Sequence, residues 1–216
     1  MCEGHELKIL RYKVGLLETN CYLIYSTETR EAAIIDPGLS QKSEAKPIME
    51  RIKELNLKLK YIVNTHGHHD HVSGNWFIKK FTEAPILIHR LDEELLNLSS
   101  HLLLGLINTP PKVDCLLEGG EVLSVGRDKI RVVHTPGHTL GSIILVGEWY
   151  VFTGDTLFAG SIGRVDLPGS SERDMAITLK EKILKLPDNL KVYPGHGPFS
   201  LMGVEKRFNP FLSQIE

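Results

Sequence analysis

The chain has 216 residues, 42% of them hydrophobic and 24% charged, with a formal net charge of -2. That is length and apolar content enough for one domain spanning 1–216, without the basic excess that marks nucleic-acid binding. With no run of ~18 apolar residues to cross a membrane and no apolar signal region in MCEGHELKIL, the expectation is a cytoplasmic protein with neither nucleic acid nor membrane as partner.

Taken in chain order, KILRYKV (8–14), NCYLIYS (20–26) and EAAIIDPG (31–38) read as strands, rich in β-branched and aromatic residues, with Asp36-Pro37-Gly38 closing the third. From Ser43 to Leu55 the pattern changes to a helix with Ile48, Ile52 and Leu55 on one face. The strand KYIVNT (60–65) runs straight into His66, followed by WFIKKF as helix, APILIH as strand and LDEELLNL as a short helix. Beyond Pro110 the texture is hairpin-like: GGEVLSVG supplies glycine turns, KIRVVHT a short strand, and SIILVGEWYVFTGD two strands joined at Gly147-Glu148. A helix over Ser171–Leu186 has Ser171 and Asp174 as its capping start, and NLKVYPGHG returns as a strand. Strands followed by helices in each half predict an α/β (α+β) sandwich of two sheets with helices outside.

Three cysteines, Cys2, Cys21 and Cys115, have no CxxC spacing and cannot close a disulfide framework; Cys21 and Cys115 read as small buried hydrophobes. The ten histidines are more informative. Thr65-His66-Gly67-His68-His69-Asp70-His71 has the form HxHxDH. In an extended loop, positions i and i+2 project to the same side, so His66 and His68 can meet one metal. Asp70 and His71 then begin a helical turn aimed at a second ion, with Gly67 and Gly74 giving the backbone latitude to fold around both. Three further candidates stand where an apolar strand gives way to a glycine-containing loop: His138 in TPGH, Asp155 in TGDT and His196 in PGHG.

Together these residues resemble the metallo-β-lactamase superfamily, specifically its compact glyoxalase II-like (hydroxyacylglutathione hydrolase-like) branch, from the opening strands to Asn209-Pro210. The resemblance implies an αββα four-layer sandwich without a separate C-terminal glutathione-binding domain. It assigns His66, His68 and His138 to a first metal and Asp70, His71 and His196 to a second. Asp155 and a water or hydroxide would bridge the pair. An imidazole and carboxylate set suits two divalent ions, zinc placed first, with iron or manganese also compatible. True β-lactamases commonly carry a cysteine or another residue where Asp155 stands, so the bridging carboxylate argues against antibiotic hydrolysis.

The expected reaction is hydrolysis of a small-molecule thioester of the S-2-hydroxyacylglutathione class by the bridging hydroxide, with Asp70 orienting the nucleophile. The segment 155–164, DTLFAGSIGR, is similar to the loop after the bridging aspartate in glyoxalase II, where a basic residue contacts the thiol-derived part of the substrate; Arg164 matches it. Two departures weigh on glutathione as the thiol: only twenty residues follow His196, and Asp166 stands where the family tends to carry an aromatic. Two other reactions fit the same ligands, a persulfide dioxygenase with a single iron and a lactone hydrolase with the dinuclear site. A structural or metal-sensing module is disfavoured, because seven ligands around two ions leave positions open for solvent. Oligomeric state is open.

Outside the set, His5, His89 and His101 read as solvated or locally satisfied, and His69 as pointing away from the metals. His134 reads as loop support, and Glu118 and Glu121 as solvent-facing. The apolar run 101–107 reads as buried, with a flap over the site or an association surface as alternatives.

Overall fold

The computed structural model describes residues 6–101 and 112–215. In chain order the first half runs β1 (Leu7–Val14), β2 (Thr19–Ser26), β3 (Glu31–Ile35), α1 (Lys42–Glu54), β4 (Lys58–Val63), α2 (His69–Val72), α3 (Asn75–Thr82), β5 (Ile86–His89), α4 (Glu93–His101) and β6 (Cys115–Leu117). The second half runs β7 (Val122–Val125), β8 (Asp128–His134), β9 (Ile143–Val146), β10 (Tyr150–Gly154), β11 (Leu157–Phe158), β12 (Ser161–Ile162), α5 (Glu172–Thr178), β13 (Lys191–Pro194), β14 (Ser200–Leu201) and α6 (Met202–Phe208).

The strands form two six-stranded sheets, β1-β2-β3-β4-β5-β6 and β14-β13-β10-β9-β8-β7, and β11 and β12 make a small hairpin. Within the first sheet β1, β2 and β3 are antiparallel, then β3 to β6 run parallel. In the second, β10 and β13 are parallel and the remaining neighbours antiparallel.

Period-two alternation builds the layers, because successive side chains on a strand face opposite ways. On β2, Cys21 and Leu23 join Ala45, Ile48 and Ile52 of α1 and Ile78 of α3, while Tyr22 and Ile24 turn into the space between the sheets. The second sheet mirrors this: Leu145, Tyr150 and Phe152 face inward, and Ile144, Val146 and Val151 face Met175 of α5 and Met202 of α6. Both sheets are apolar on both faces because each is covered twice. The result is the expected order helix, sheet, sheet, helix.

The expected helix over Ser171–Leu186 is two pieces, α5 capped by the Ser171 hydroxyl accepting from the Asp174 N–H, then a wider turn at Leu179–Ile183. Cys21 is buried as expected, but Cys115 is exposed, because β6 is only three residues long and lies at the sheet edge. Cys2, His5, the side chain of His101 and the rest of the 101–107 run lie outside what is described. Among the described residues no helix is long and apolar enough to cross a membrane.

Candidate metal centre

Four strand ends converge at one edge of the sandwich. The chain leaves β4 through Asn64 and Thr65 into His66, and α2 supplies one helical turn that carries Asp70 and His71. His138 follows β8, Asp155 follows β10 and His196 follows β13. All seven expected residues are brought together. His66, His68 and His138 form one group, Asp70, His71 and His196 another, and His66, His71 and Asp155 a third, with potential ligand atoms in each group within 4.8 Å of one another.

Asp155 lies between the first two groups. Its Oδ1 is 3.4 Å from His71 Nε2, and its Oδ2 is 3.6 Å from both His138 Nε2 and His196 Nε2. The groups also touch through the His66 and His71 rings, whose centroids are 4.1 Å apart. Such proximity needs a bare backbone before His196: a Cβ on Gly195 would sit 2.2 Å from Asp155 Oδ1 and 2.8 Å from His71 Cε1. Gly67 and Gly74, expected to supply backbone latitude, serve instead as close contacts without a positive φ. A Cβ there would fall 2.9 Å from the Asp92 carbonyl and 2.3 Å from the Pro37 carbonyl.

The surroundings fix which ring nitrogen points inward. Backbone carbonyls only accept, so His138 Nδ1 donates to Arg164 O at 2.8 Å and His196 Nδ1 donates to Leu17 O at 3.1 Å, and each ring in its neutral form turns the lone pair of Nε2 toward the centre. His71 Nδ1 faces Asp36 Oδ2 at 3.0 Å. Asp36 is held in turn by the Thr65 N–H at 2.8 Å and the Thr65 hydroxyl at 2.7 Å. The inward nitrogens meet in close pairs, His68 Nδ1 with His138 Nε2 at 2.9 Å and His71 Nε2 with His196 Nε2 at 3.2 Å. Lone pairs crowded together this way need a proton or a cation between them. Buried His66 Nε2 and Asp155 Oδ1 have no hydrogen-bond partner among the described residues, a costly state unless something else binds them. The donor set therefore fits divalent cations.

The two trios differ electrostatically. Burial, reinforced by the neighbouring rings, pushes His66 well below an ordinary imidazole, and burial beside His138 pushes His68 down to about 4. For His71, burial works in the same direction but is outweighed by the Asp155 and Asp36 carboxylates, and the group ends well above its usual value. His196 is raised too, because its bond to Asp70 and the charge of Asp155 outweigh its burial. Asp70, although burial opposes it, is held well below the carboxylate range by His196 and His71. It also accepts the hydroxyl of buried Thr19 at 3.0 Å.

Asp36, Thr19 and the Leu17 and Arg164 carbonyls were not among the residues expected at the site. Asp36 sits in the Asp-Pro-Gly turn that closes β3, with an unusual φ of 50°. Arg164 is at the rim, 68% exposed, with its guanidinium bonded in a fork to Asp166 at 2.9 Å through both oxygens. His69 turns toward Ser99 O and belongs to none of the metal-type groups, as expected. His134 supports the following loop through Leu140 O, and His89, stacked on it at 4.0 Å, is satisfied by Glu118 O. Glu118 and Glu121 are not simply solvated: Glu118 pairs with Arg90, and Glu121 accepts the N–H groups of Glu118 and Gly119.

The sequence profile of the metallo-beta-lactamase superfamily matches residues 14–196, from the end of β1 to the last histidine of the centre. This chain belongs to the metallo-β-lactamase superfamily. Among curated relatives it is 36% identical to "Hydroxyacylglutathione hydrolase GloC" of Haemophilus influenzae, over 93% of this chain and 95% of that one. It is 33% identical to "Probable metallo-hydrolase YqgX" of Bacillus subtilis, over 96% and 98%. The solved structure of BLEG-1 B3 metallo-beta-lactamase superposes with a TM-score of 0.82 at 32% identity, covering 95% of this chain and 100% of that one. TTHA1623 in a di-iron-bound form gives 0.78 at 33%, covering 94% and 100%. The four layers are the superfamily fold, and the His and Asp cluster stands where its strand ends meet.

Proposed function

We propose that the chain is a thioesterase of the S-2-hydroxyacylglutathione class working with two divalent metal ions, zinc in first place. His66, His68 and His138 hold one ion, Asp70, His71 and His196 hold the other, and Asp155 is shared. The observation that carries this reading is the position of Asp155, with one oxygen toward His71 and the other toward both His138 and His196. The GloC likeness points to the thioester, and the di-iron form of TTHA1623 keeps iron as an alternative metal.

Bound ions supply Lewis acidity and lower the pKa of water from about 15.7 toward roughly 7. The chain's own groups do the rest. Asp70, held ionised by its two histidine neighbours and by Thr19, is an acceptor that orients a water proton rather than an acid that delivers one. A thiolate leaving group needs little protonation, so no separate acid is required. Exposed Leu16 and Leu17 at the β1–β2 turn and Phe158, whose ring lies 6.1 Å from that of His196, border the open end with apolar surface. Arg164 stands at the rim as the contact for the thiol-derived part.

The test is hydrolysis of S-lactoylglutathione with and without a chelator, paired with elemental analysis. Two metals per chain and chelator-sensitive release of glutathione support the proposal. Absence of release overturns it, and a single iron with oxygen uptake on glutathione persulfide indicates a dioxygenase instead. The BLEG-1 likeness adds a β-lactam arm. Hydrolysis of a chromogenic cephalosporin faster than of any thioester or lactone would reassign the substrate.

A further inference from the structure

Asp92 is not among the seven residues of the centre, yet it touches both loops that carry the first trio. It ends a short 3-10 turn, Arg90–Asp92, after β5, and is 1% exposed. Its Oδ2 accepts the Gly67 N–H at 2.8 Å and the Thr139 hydroxyl at 2.7 Å, and its Oδ1 accepts the Gly141 N–H at 2.7 Å. Gly67 is the residue between His66 and His68, and Thr139 directly follows His138. The backbone is fitted around this carboxylate: a Cβ on Gly141 would lie 2.7 Å from its Cγ and Oδ1. The far side of the Gly67 residue is held as well, its carbonyl accepting the Ser99 hydroxyl at 2.8 Å.

A carboxylate buried against three neutral donors is an expensive feature unless its bonds fix something. The donors come from two loops whose histidines are 70 positions apart. Asp36 bears directly on the other trio, through His71, and reaches the first only at one remove, through the Thr65 hydroxyl that also meets His66 Nδ1 at 3.2 Å. We propose that Asp92 is a positioning residue for the first cradle alone: it sets the spacing of His66 and His68 from His138 and so sets the affinity for the ion held there. This inference rests on the two-metal reading above.

Asparagine is the informative replacement, being equal in size but with an NH2 that must face a backbone N–H of Gly67 or Gly141. Cobalt titration of the metal-free full chain, followed by its visible spectrum, reports the two cradles. Amide exchange at Gly67 and Gly141 reports the tie without any metal. In Asp92→Asn we expect first-cradle affinity to fall roughly 10- to 100-fold with second-cradle affinity retained, and the amide that faces the new NH2, Gly67 or Gly141, to lose protection. Thr139→Val, which removes one of the three bonds to Asp92 together with the hydroxyl's contact to Ser142, shifts the same affinity by less and serves if Asp92→Asn does not fold. Ile48→Ala, in the core under α1, is the control for destabilisation and leaves the ratio of the two affinities unchanged. Wild-type affinity at both cradles with protected amides overturns the inference, as does equal weakening of both. A wild-type chain that takes up no cobalt overturns the two-metal reading instead, and the exchange data alone then decide whether Asp92 ties the loops.

Discussion

The trio His66, His68 and His138 and the trio Asp70, His71 and His196 occupy one cleft, and burial governs His66 and His68 in the first where carboxylates govern His71 and His196 in the second. In the first, burial favours unprotonated imidazole, so His68 falls to about 4 and His66 lower than ordinary. In the second, Asp36, Asp70 and Asp155 surround the rings, so His71 and His196 hold protons more tightly than a free imidazole. A cation entering the first cradle meets lone pairs ready to bind. A cation entering the second replaces protons, and the carboxylates that retained them become its ligands and their supports.

The largest effect is expected where the difference vanishes, at the carboxylate shared by both trios. Asp155→Ala removes the group that faces His138, His71 and His196 together, and several kcal/mol of electrostatic stabilisation corresponds to at least about a thousandfold in kcat. Elemental analysis should find fewer than two metals per chain. Turnover within tenfold of the parent at full metal content would mean that the trios work independently.

Next is a change centred on the second cradle. Asp36→Asn weakens the hold on His71 Nδ1 and on Thr65, and loss of such a supporting carboxylate lowers metal affinity about 10- to 100-fold. Metal titration should show the larger weakening in the Asp70, His71, His196 set and a smaller one in the His66, His68, His138 set, which Asp36 reaches only through Thr65 and His66. Uniform weakening would show that Asp36 supports the whole cleft.

Why Asp36 was invisible in the sequence while His71 was not is a matter of range. His71 belongs to HxHxDH, whose spacing acts within one loop and one helical turn. Asp36 meets it across 35 positions, and Asp-Pro-Gly reads locally as a turn. Asp92 was hidden likewise, as one acid in LDEELLNL, although it reaches Gly141 49 positions away. The layers were easier to read, because alternation along β2 and the 3.6-residue stripe of α1 are written locally and burial follows them. Where the outcome depended on place in the sheet it was missed: Cys115 has an apolar context in the sequence but lies on an edge strand.

A smaller effect follows from the protonation contrast. With an unperturbed imidazole at about 6.5, His66 and His68, held below that value, carry few protons at pH 6.5, and His71 and His196, held above it, carry more. Calorimetric metal titration at pH 6.5 in two buffers of different ionisation enthalpy should therefore show few protons released on filling the first and more on filling the second. As pH rises through the second cradle's raised values, its proton release should fall and its affinity climb. Equal release at both cradles would erase the contrast.

The smallest effect lies at the rim, where Arg164 ties the interior to the solvent. Its carbonyl orients His138, so the backbone there is part of the first cradle, while its side chain is bonded to Asp166 and not to the centre. A substrate carboxylate must compete with Asp166 for the guanidinium, and in water such exposed pairs are weak competitors. Asp166→Ala is thus expected to lower KM for an anionic glutathione thioester by about two- to fivefold, leaving kcat and the KM for an uncharged thioester unchanged. The gain should shrink at high salt, where exposed charges are screened. If KM for both thioesters moves together, Arg164 does not read the thiol-derived part, and the recognition belongs to the apolar border of Leu16, Leu17 and Phe158 at the opposite trio.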